Sequence, residues 1–347
     1  MTAVYPSHQN TYIRDHEASN KLVIDFARDM KRFRVNNYCQ IVPVKKLAGY
    51  YLEMTIEEAG RILAANLDNF VWYDGDPAPE QDEGTEKFEW KPFGCTRRVF
   101  HFKFGNLTID QASWDIVAQH ASMKARQAMT GRTQLAVTAL TTEANYDASH
   151  VLDVTAIAGN TGNWKQSTTA RQDIKRSLLH GLELIKDATL DAVDEDAFRL
   201  VISSALAKDL ALTQEIVDYI KGSPEALAQI RGELPGSNVM YGLPDRLYGV
   251  PLEVESTRKA TNRKGATRAV SSVFPSTNAV LCSRPGGLVG VDGAPTFSTV
   301  CIFAQEEMTV EKKDDTDNRR VTGRVVDTVD VKMVAPASGI LFTDVSA

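Results

Sequence analysis

Residues 93 to 131 read FGCTRRVFHFKFGNLTIDQASWDIVAQHASMKARQAMTG, and two periodicities meet inside them. Phe100, Phe102 and Phe104 alternate with Val99, His101 and Lys103. That period of two sets one face of a β-strand on a core and the other in water. After residue 108 the apolar positions fall at spacings of three and four: Trp114, Val117, Ala121, Ala125 and Ala128. This is the stripe of an amphipathic helix, and its alanines allow close approach to a sheet. Thr108 and Gln111 have capping-box spacing. A helix is therefore predicted from Thr108 to near Gly131, a rod of about 33 Å for about 22 residues.

Upstream, residues 41 to 54 (IVPVKKLAGYYLEM) also read as extended. Between the two extended runs lie a short helix candidate, 55 to 67, and the acidic turn-rich stretch YDGDPAPEQDEGTEK. Together, residues 41 to 107 predict a long two-stranded arm with a decorated tip. A lone hairpin is marginal in water, so such an arm needs a partner surface. Residues 1 to 20 are polar and aperiodic, an arm of their own. NKLVIDFARDMKRFR, 20 to 34, reads as a short amphipathic helix with a basic tail.

Downstream, 133 to 169 read as irregular. A second helix is predicted from Thr169, with Gln172 at capping-box spacing and a stripe of Ile174, Leu178, Leu182 and Ile185. FRLVIS, 198 to 203, is a short strand. Short helices follow at 204 to 210, 213 to 221 and 223 to 230, the last with Pro224 at its first position. Beyond 235 the pattern is β, with strands at 247 to 255, 279 to 283, 299 to 304, 308 to 312, 320 to 334 and 339 to 342. Val321, Gly323, Val325, Asp327, Val329 and Val331 share one face of the longest. The fold class is α+β, because regular βαβ alternation is missing.

The 347 residues are 43% hydrophobic and 24% charged, the composition of a globular chain. No apolar run approaches the roughly 20 residues that span a bilayer, and MTAVYPSHQNTY lacks the basic and apolar regions of a secretory leader. A cytosolic protein without a membrane partner is expected. Cys39, Cys95, Cys282 and Cys301 form no CxxC pair, which argues against a zinc site or a disulfide framework. The net charge of −6 is uneven: from 53 to 89 eleven acids face two bases, whereas from 14 to 46 eight bases face four acids. Blocks of opposite sign suit contacts between copies.

Catalytic signatures fail at named residues. GGLVGVDG, from Gly286, lacks the lysine and the following helix of a phosphate loop. His16-Glu17-Ala18-Ser19-Asn20 places Asn20 where a zincin helix needs its second histidine. Asp314, Asp315 and Asp317 lack the glycine and glutamate of a calcium loop and predict a tight acidic turn. Asp191, Asp194, Glu195 and Asp196 leave a metal-dependent hydrolase as the rival reading from another class. The expectation is no catalytic residue, no cofactor and no bound metal. Arg258, Lys259, Arg263, Lys264 and Arg268 could neutralise phosphates, yet no aromatic residue is interleaved for stacking, so a solvated loop is expected.

The order of elements (polar arm, short helix, two-stranded arm, long helix, α+β block, terminal strands) resembles the tailed-phage major capsid proteins of the Hong Kong 97 fold. DRLYGVPLEVE, 245 to 255, is similar to that family's strand with a Gly-x-Pro turn. FRLVISSALAKDL, 198 to 210, is similar to its strand entering a short axial helix. The resemblance implies an N-arm at 1 to 40, an extended loop at 41 to 107 and a peripheral domain with spine helix at 108 to 164. It further implies an axial domain at 165 to 304 and returning peripheral strands at 305 to 347.

By function it implies a shell subunit that assembles with itself into pentamers and hexamers of an icosahedral head around double-stranded DNA. The partners implied are a portal protein, a separate scaffolding protein, a decoration protein and non-specifically held DNA. The location implied is the virion, with assembly in the host cytoplasm. An encapsulin-like nanocompartment is the alternative. Candidate contacts between copies are Tyr50, Tyr51, Trp72, Asp74, Asp76, Lys87, Trp90, Arg97 and Arg98. Candidate lumenal or DNA-facing cations are Arg28, Lys31, Arg32 and Arg34. Lys45, Lys46, Lys87, Lys91 and Lys103 lie in the loop region, but nothing selects one for the family's covalent crosslink.

Overall fold

A computed structural model describes residues 32–54, 74, 88–112, 115–262, 266–285 and 298–346. The chain passes through one turn of helix, α1 (Val35–Tyr38), into β1 (Gln40–Pro43). β2 (Ala48–Met54) and β3 (Phe88–Gly94) form an antiparallel pair. β4 (Thr96–Gly105), α2 (Asn106–Gln111) and the long α3 (Ile116–Thr141) follow. β5 (Val151–Asp153) leads to α4 (Asp173–Thr189), β6 (Phe198–Ser203), α5 (Ser204–Ala211), α6 (Gln214–Gly222) and α7 (Pro224–Arg231). The remainder is β: β7 (Arg246–Leu247), β8 (Val250–Glu255), β9 (Arg258–Ala260), β10 (Val270–Ser272) and β11 (Ala279–Ser283), then β12 (Val300–Asp315), β13 (Arg320–Met333) and β14 (Ile340–Thr343).

Two larger sheets organise these elements. One has the order β1-β12-β13-β4, the other β5-β14-β11-β6-β8-β7. The first presents an alternating face to α3. Val321, Val325, Asp327 and Val329 on β13 are buried, and so are Met129, Ala136, Val137 and Leu140 on α3. Gly323 continues the same face because the Phe102 ring from β4 lies across it, in space a Cβ would need. The six-stranded sheet is covered on both faces. Ala279 and Leu281 of β11 pack with α4 and α5, while Val280 and Cys282 join the core that includes α3. Both faces being dry, Leu200 to Ile202 of β6 and Ala279 to Cys282 of β11 are unbroken apolar runs. Gly181 lets α4 approach β14 closely, since a Cβ there would stand 2.9 Å from the Phe342 ring.

The long helix corrects its prediction at both ends. Thr108 sits inside α2, which stops at Ala112. α3 begins afresh at Ile116, where Asp115 Oδ1 accepts from the Ala118 N–H at 2.9 Å. It then runs through Gly131 to Thr141, 26 residues, or about 39 Å. A glycine inside a helix costs about 1 kcal/mol relative to alanine. Burial of Val137 and Leu140 beyond it contributes roughly 1.5–3 kcal/mol each and outweighs that cost. Trp114 lies outside the described residues.

Other expectations sharpen. The 299 to 304 and 308 to 312 strands are one strand, β12, with register shifts between Ala304 and Thr309. A domain boundary between 304 and 305 therefore falls inside a strand. The tail serves both sheets: β13 pairs with β12 and β4 in one, and β14 pairs with β11 and β5 in the other. The acidic turn is present: Asp315 accepts from Asn318 Nδ2 at 2.9 Å and Arg320 Nε at 2.7 Å. Of the loop expected at 258 to 268, Arg258–Ala260 form β9, which pairs with β10 (Val270–Ser272) beyond it.

Candidate functional site

β2 and β3 pair in register from Ala48 opposite Gly94 to Met54 opposite Phe88. Residues directly opposite share a face. Tyr51, Lys91 and Phe93 thus lie on one side, and Tyr50, Trp90 and Pro92 on the other. The first side closes on the subunit's own sheet. Phe93 stacks on Phe303 of β12 with centroids 4.5 Å apart and 7° between the rings, and Tyr51 stacks on the same ring at 5.6 Å. Gly49 makes room, since a Cβ there would meet the Phe93 ring at 2.8 Å. The Tyr51 hydroxyl donates to the Met333 carbonyl at 3.4 Å, and the Gly94 N–H donates to Asp330 Oδ2 at 2.9 Å.

The second side has no such cover within the described residues. Tyr50 is 67% exposed and Trp90 63%. Large aromatic side chains paired on an open face match the composition of protein–protein hot spots. Of the predicted contact residues, Tyr50 and Trp90 occupy this face, while Tyr51 anchors the arm to its own body. Arg97 lies 3.5 Å from Glu306, and Arg98 Nη1 donates to the Val329 carbonyl at 3.1 Å, so both are engaged inside the subunit. Asp74 is exposed at a turn. Trp72, Asp76 and Lys87 lie outside the described residues.

Beneath α3 sits an ion pair that sequence reading missed. Arg132 Nη2 lies 2.6 Å from Asp327 Oδ1, with both side chains almost fully buried. Arg132 Nη1 also reaches Glu307 at 3.4 Å. The signal was available: an aspartate among the valines of a buried strand face demands a counter-charge. Glu215 is a second buried device. It accepts from the backbone N–H groups of Ile174 and Lys175 at 3.1 and 3.0 Å, and from the Tyr248 hydroxyl at 2.6 Å. It caps α4 from another helix, as a carboxylate at a helix N-terminus should. This replaces the predicted Thr169/Gln172 box; Gln172 takes a left-handed conformation and Thr169 donates to Asp218. Burial, then the Glu215 hydrogen bond, pushes the Tyr248 phenol far up.

The basic residues converge on one groove. α1 docks on β8 through the Asn37 Nδ2–Glu253 bond at 3.0 Å and the Tyr38 hydroxyl to buried Glu255 at 3.1 Å. Burial pushes the Glu253 carboxyl up, and Arg34 lies 3.7 Å from it. This docking sets Arg32 and Arg34 beside Lys124 and Arg126 of α3, Arg258 and Lys259 of β9 and Arg268 of the connection to β10, around a groove of about 1210 Å3. Arg28 and Lys31, like Arg263 and Lys264, lie outside the described residues.

The acidic cluster has a different partner from the one a hydrolase would need. Lys186 Nζ stands 2.8 Å from Glu195 and 3.8 Å from Asp191, and its hydrogen bond holds the Glu195 carboxyl below its usual range. Among the described residues, no three His, Cys, Asp or Glu side chains are grouped to hold a metal. Burial pushes the Cys282 thiol up to about 12 and the Cys301 thiol up to about 11, so neither is a thiolate near neutral pH.

No protein-family model and no curated protein matches the sequence. Solved structures do match, along nearly the whole chain. A phage-related protein from Bordetella bronchiseptica superposes with a TM-score of 0.61 at 14% identity, covering 92% of this chain and 94% of that one. The capsid of the cyanophage P-SCSP1u matches with a TM-score of 0.59 at 9% identity, covering 93% and 90%. The mature capsid of bacteriophage PhiM1 matches with a TM-score of 0.54 at 12% identity, with the same 93% and 90% coverage. At these identities the likeness is one of fold: the chain has the fold of phage capsid subunits.

Proposed function

We propose that the chain is the major capsid protein of a tailed double-stranded DNA phage. It builds the icosahedral head by self-assembly, and its role is structural rather than catalytic. The observation that carries this reading is the likeness to capsid subunits along nearly the whole chain, joined to an arm closed on one face and open on the other. The fold is the Hong Kong 97 type, with an N-arm to residue 40, the extended loop at 41 to 107, the spine helix in the block to 164, and an axial domain from 165 that gives way to the returning strands within β12.

Pentamers and hexamers form when the Tyr50–Trp90 face and the acidic tip settle on a neighbouring copy. Each contact is weak, but closure of a ring raises the effective concentration of the next. A portal protein, a scaffolding protein and a decoration protein complete the particle. It encloses DNA held without sequence preference, and it assembles in the host cytoplasm. The encapsulin-like alternative is less favoured, because the matching structures named above come from phage or phage-related proteins.

Electron microscopy of the purified chain tests the reading. Closed shells are expected. Deleting residues 74 to 87 should leave a folded subunit that assembles poorly, and normal shells from that deletion would refute the role of the tip.

A further inference from the structure

The groove between α3 and the β9–β10 pair gathers seven cations from three chain segments far apart in sequence. Arg32 and Arg34 precede α1. Lys124 and Arg126 come from α3. Arg258 and Lys259 come from β9, and Arg268 from the connection to β10. Among the described residues that line it there is no carboxylate, although the whole chain carries a net charge of −6. Lys124, Arg258, Lys259 and Arg268 form no ion pair among the described residues. Holding that many cations together is unfavourable unless an anion joins them.

The other lining groups narrow the class of anion. Gln127 and Ser256 add neutral hydrogen-bonding groups, while the Thr130 and Thr257 hydroxyls donate within the subunit to the Arg126 carbonyl and to Glu255. Among the described lining residues Tyr241 is the one aromatic, and a single ring is no stacking platform for successive bases. The cations are strung around an open trough. Five of the seven are arginines, whose planar fork fits phosphate oxygens. We propose that this groove binds the sugar–phosphate backbone of double-stranded nucleic acid without reading its sequence. The inference rests on the shell reading for its setting, since it names the surface that meets the packaged genome. The binding itself does not depend on shell formation.

The test uses the full chain at concentrations below assembly and a fluorescent duplex of mixed sequence. Affinity is measured from 50 to 200 mM salt for the wild type and for R258Q/K259Q/R268Q. Binding that neutralises phosphates weakens with salt in proportion to the contacts made, with a log–log slope of about −0.9 per phosphate. Losing three contacts flattens the slope by about 2.7. Wild-type affinity should therefore fall about 40-fold further than the variant's across that range. K46Q/K312Q/K313Q removes three exposed lysines away from the groove and should keep the wild-type slope.

Equal slopes for wild type and groove variant would overturn the proposal. So would a synthetic peptide of residues 55 to 87 binding more tightly than duplex, with that binding lost in the groove variant; the groove would then be a contact between copies. Shell formation scored on the same proteins separates the two readings. Wild-type shells with unchanged slopes sink the groove alone. Groove-dependent duplex binding by a chain that never forms shells sinks the shell reading and supports the groove.

Discussion

The β2–β3 arm and the α3–β13 seam are built from the same materials and finish in opposite states. Each is a β surface sorted by period two into a face toward the body and a face away from it. At the seam, the inward face of β13 is sealed by α3, and even its one charge, Asp327, is met by Arg132. On the arm, Tyr51 and Phe93 seal one face against Phe303, but Tyr50 and Trp90 stay in solvent on the other. A sealed surface contributes to the stability of one subunit. An open aromatic surface contributes nothing until a second molecule covers it. The difference predicts that damage at the seam is read in unfolding, and damage on the open face of the arm is read in assembly.

The largest effect on folding is expected at Arg132. Arg132→Ala leaves Asp327 buried without its partner, and breaking a buried pair in this way costs about 3–5 kcal/mol. Denaturant unfolding of the soluble subunit measures it; a loss below 1 kcal/mol would mean that the seam is not sealed as described. Next comes Leu140→Ala, which empties a fully buried site in the last turn of α3 and should cost about 2–5 kcal/mol. An unchanged midpoint would put the end of the helix back near Gly131.

Glu215→Ala should cost about 1–3 kcal/mol, because it strands the Ile174 and Lys175 N–H groups and the Tyr248 hydroxyl. Protection of those two amides in hydrogen exchange should fall with it. The smallest effect on stability belongs to the open face of the arm. Tyr50→Ser with Trp90→Ser should shift unfolding by no more than about 0.5 kcal/mol, as surface changes do. A larger shift would show that this face is already covered within the subunit.

What could be read from sequence follows from where the physics is local. The alternation at 99 to 104 and the one-faced run at 321 to 331 are properties of neighbouring residues, and both appear as written. Ser223 and Pro224 likewise start α7 as their types dictate. Helix ends were misjudged where the decisive group lies elsewhere. Asp115, not Thr108, caps α3, and the capping carboxylate of α4 is 40 residues away on α6. Gly131 read as a stop because its cost is local, while the burial that overcomes it depends on the sheet below. The groove as a joint site was invisible for the same reason: Arg32 and Arg34 read as candidate DNA-facing cations and 258 to 268 as a solvated loop, each alone, and only docking of α1 on β8 brings them to one place. Tyr50 and Tyr51 were indistinguishable as types, and the register of β2 against β3 divides them.

Among the described residues, the Tyr50–Trp90 face of the arm is the aromatic surface that a neighbouring copy must cover for shells to form. Side-by-side electron microscopy of the wild-type chain and the Tyr50→Ser/Trp90→Ser variant, under the same assembly conditions, tests it most directly. Closed shells from the wild type and folded, unassembled subunits from the variant are the predicted result. Normal shells from the variant, or a wild-type chain that stays monomeric at every protein concentration and salt, would contradict it.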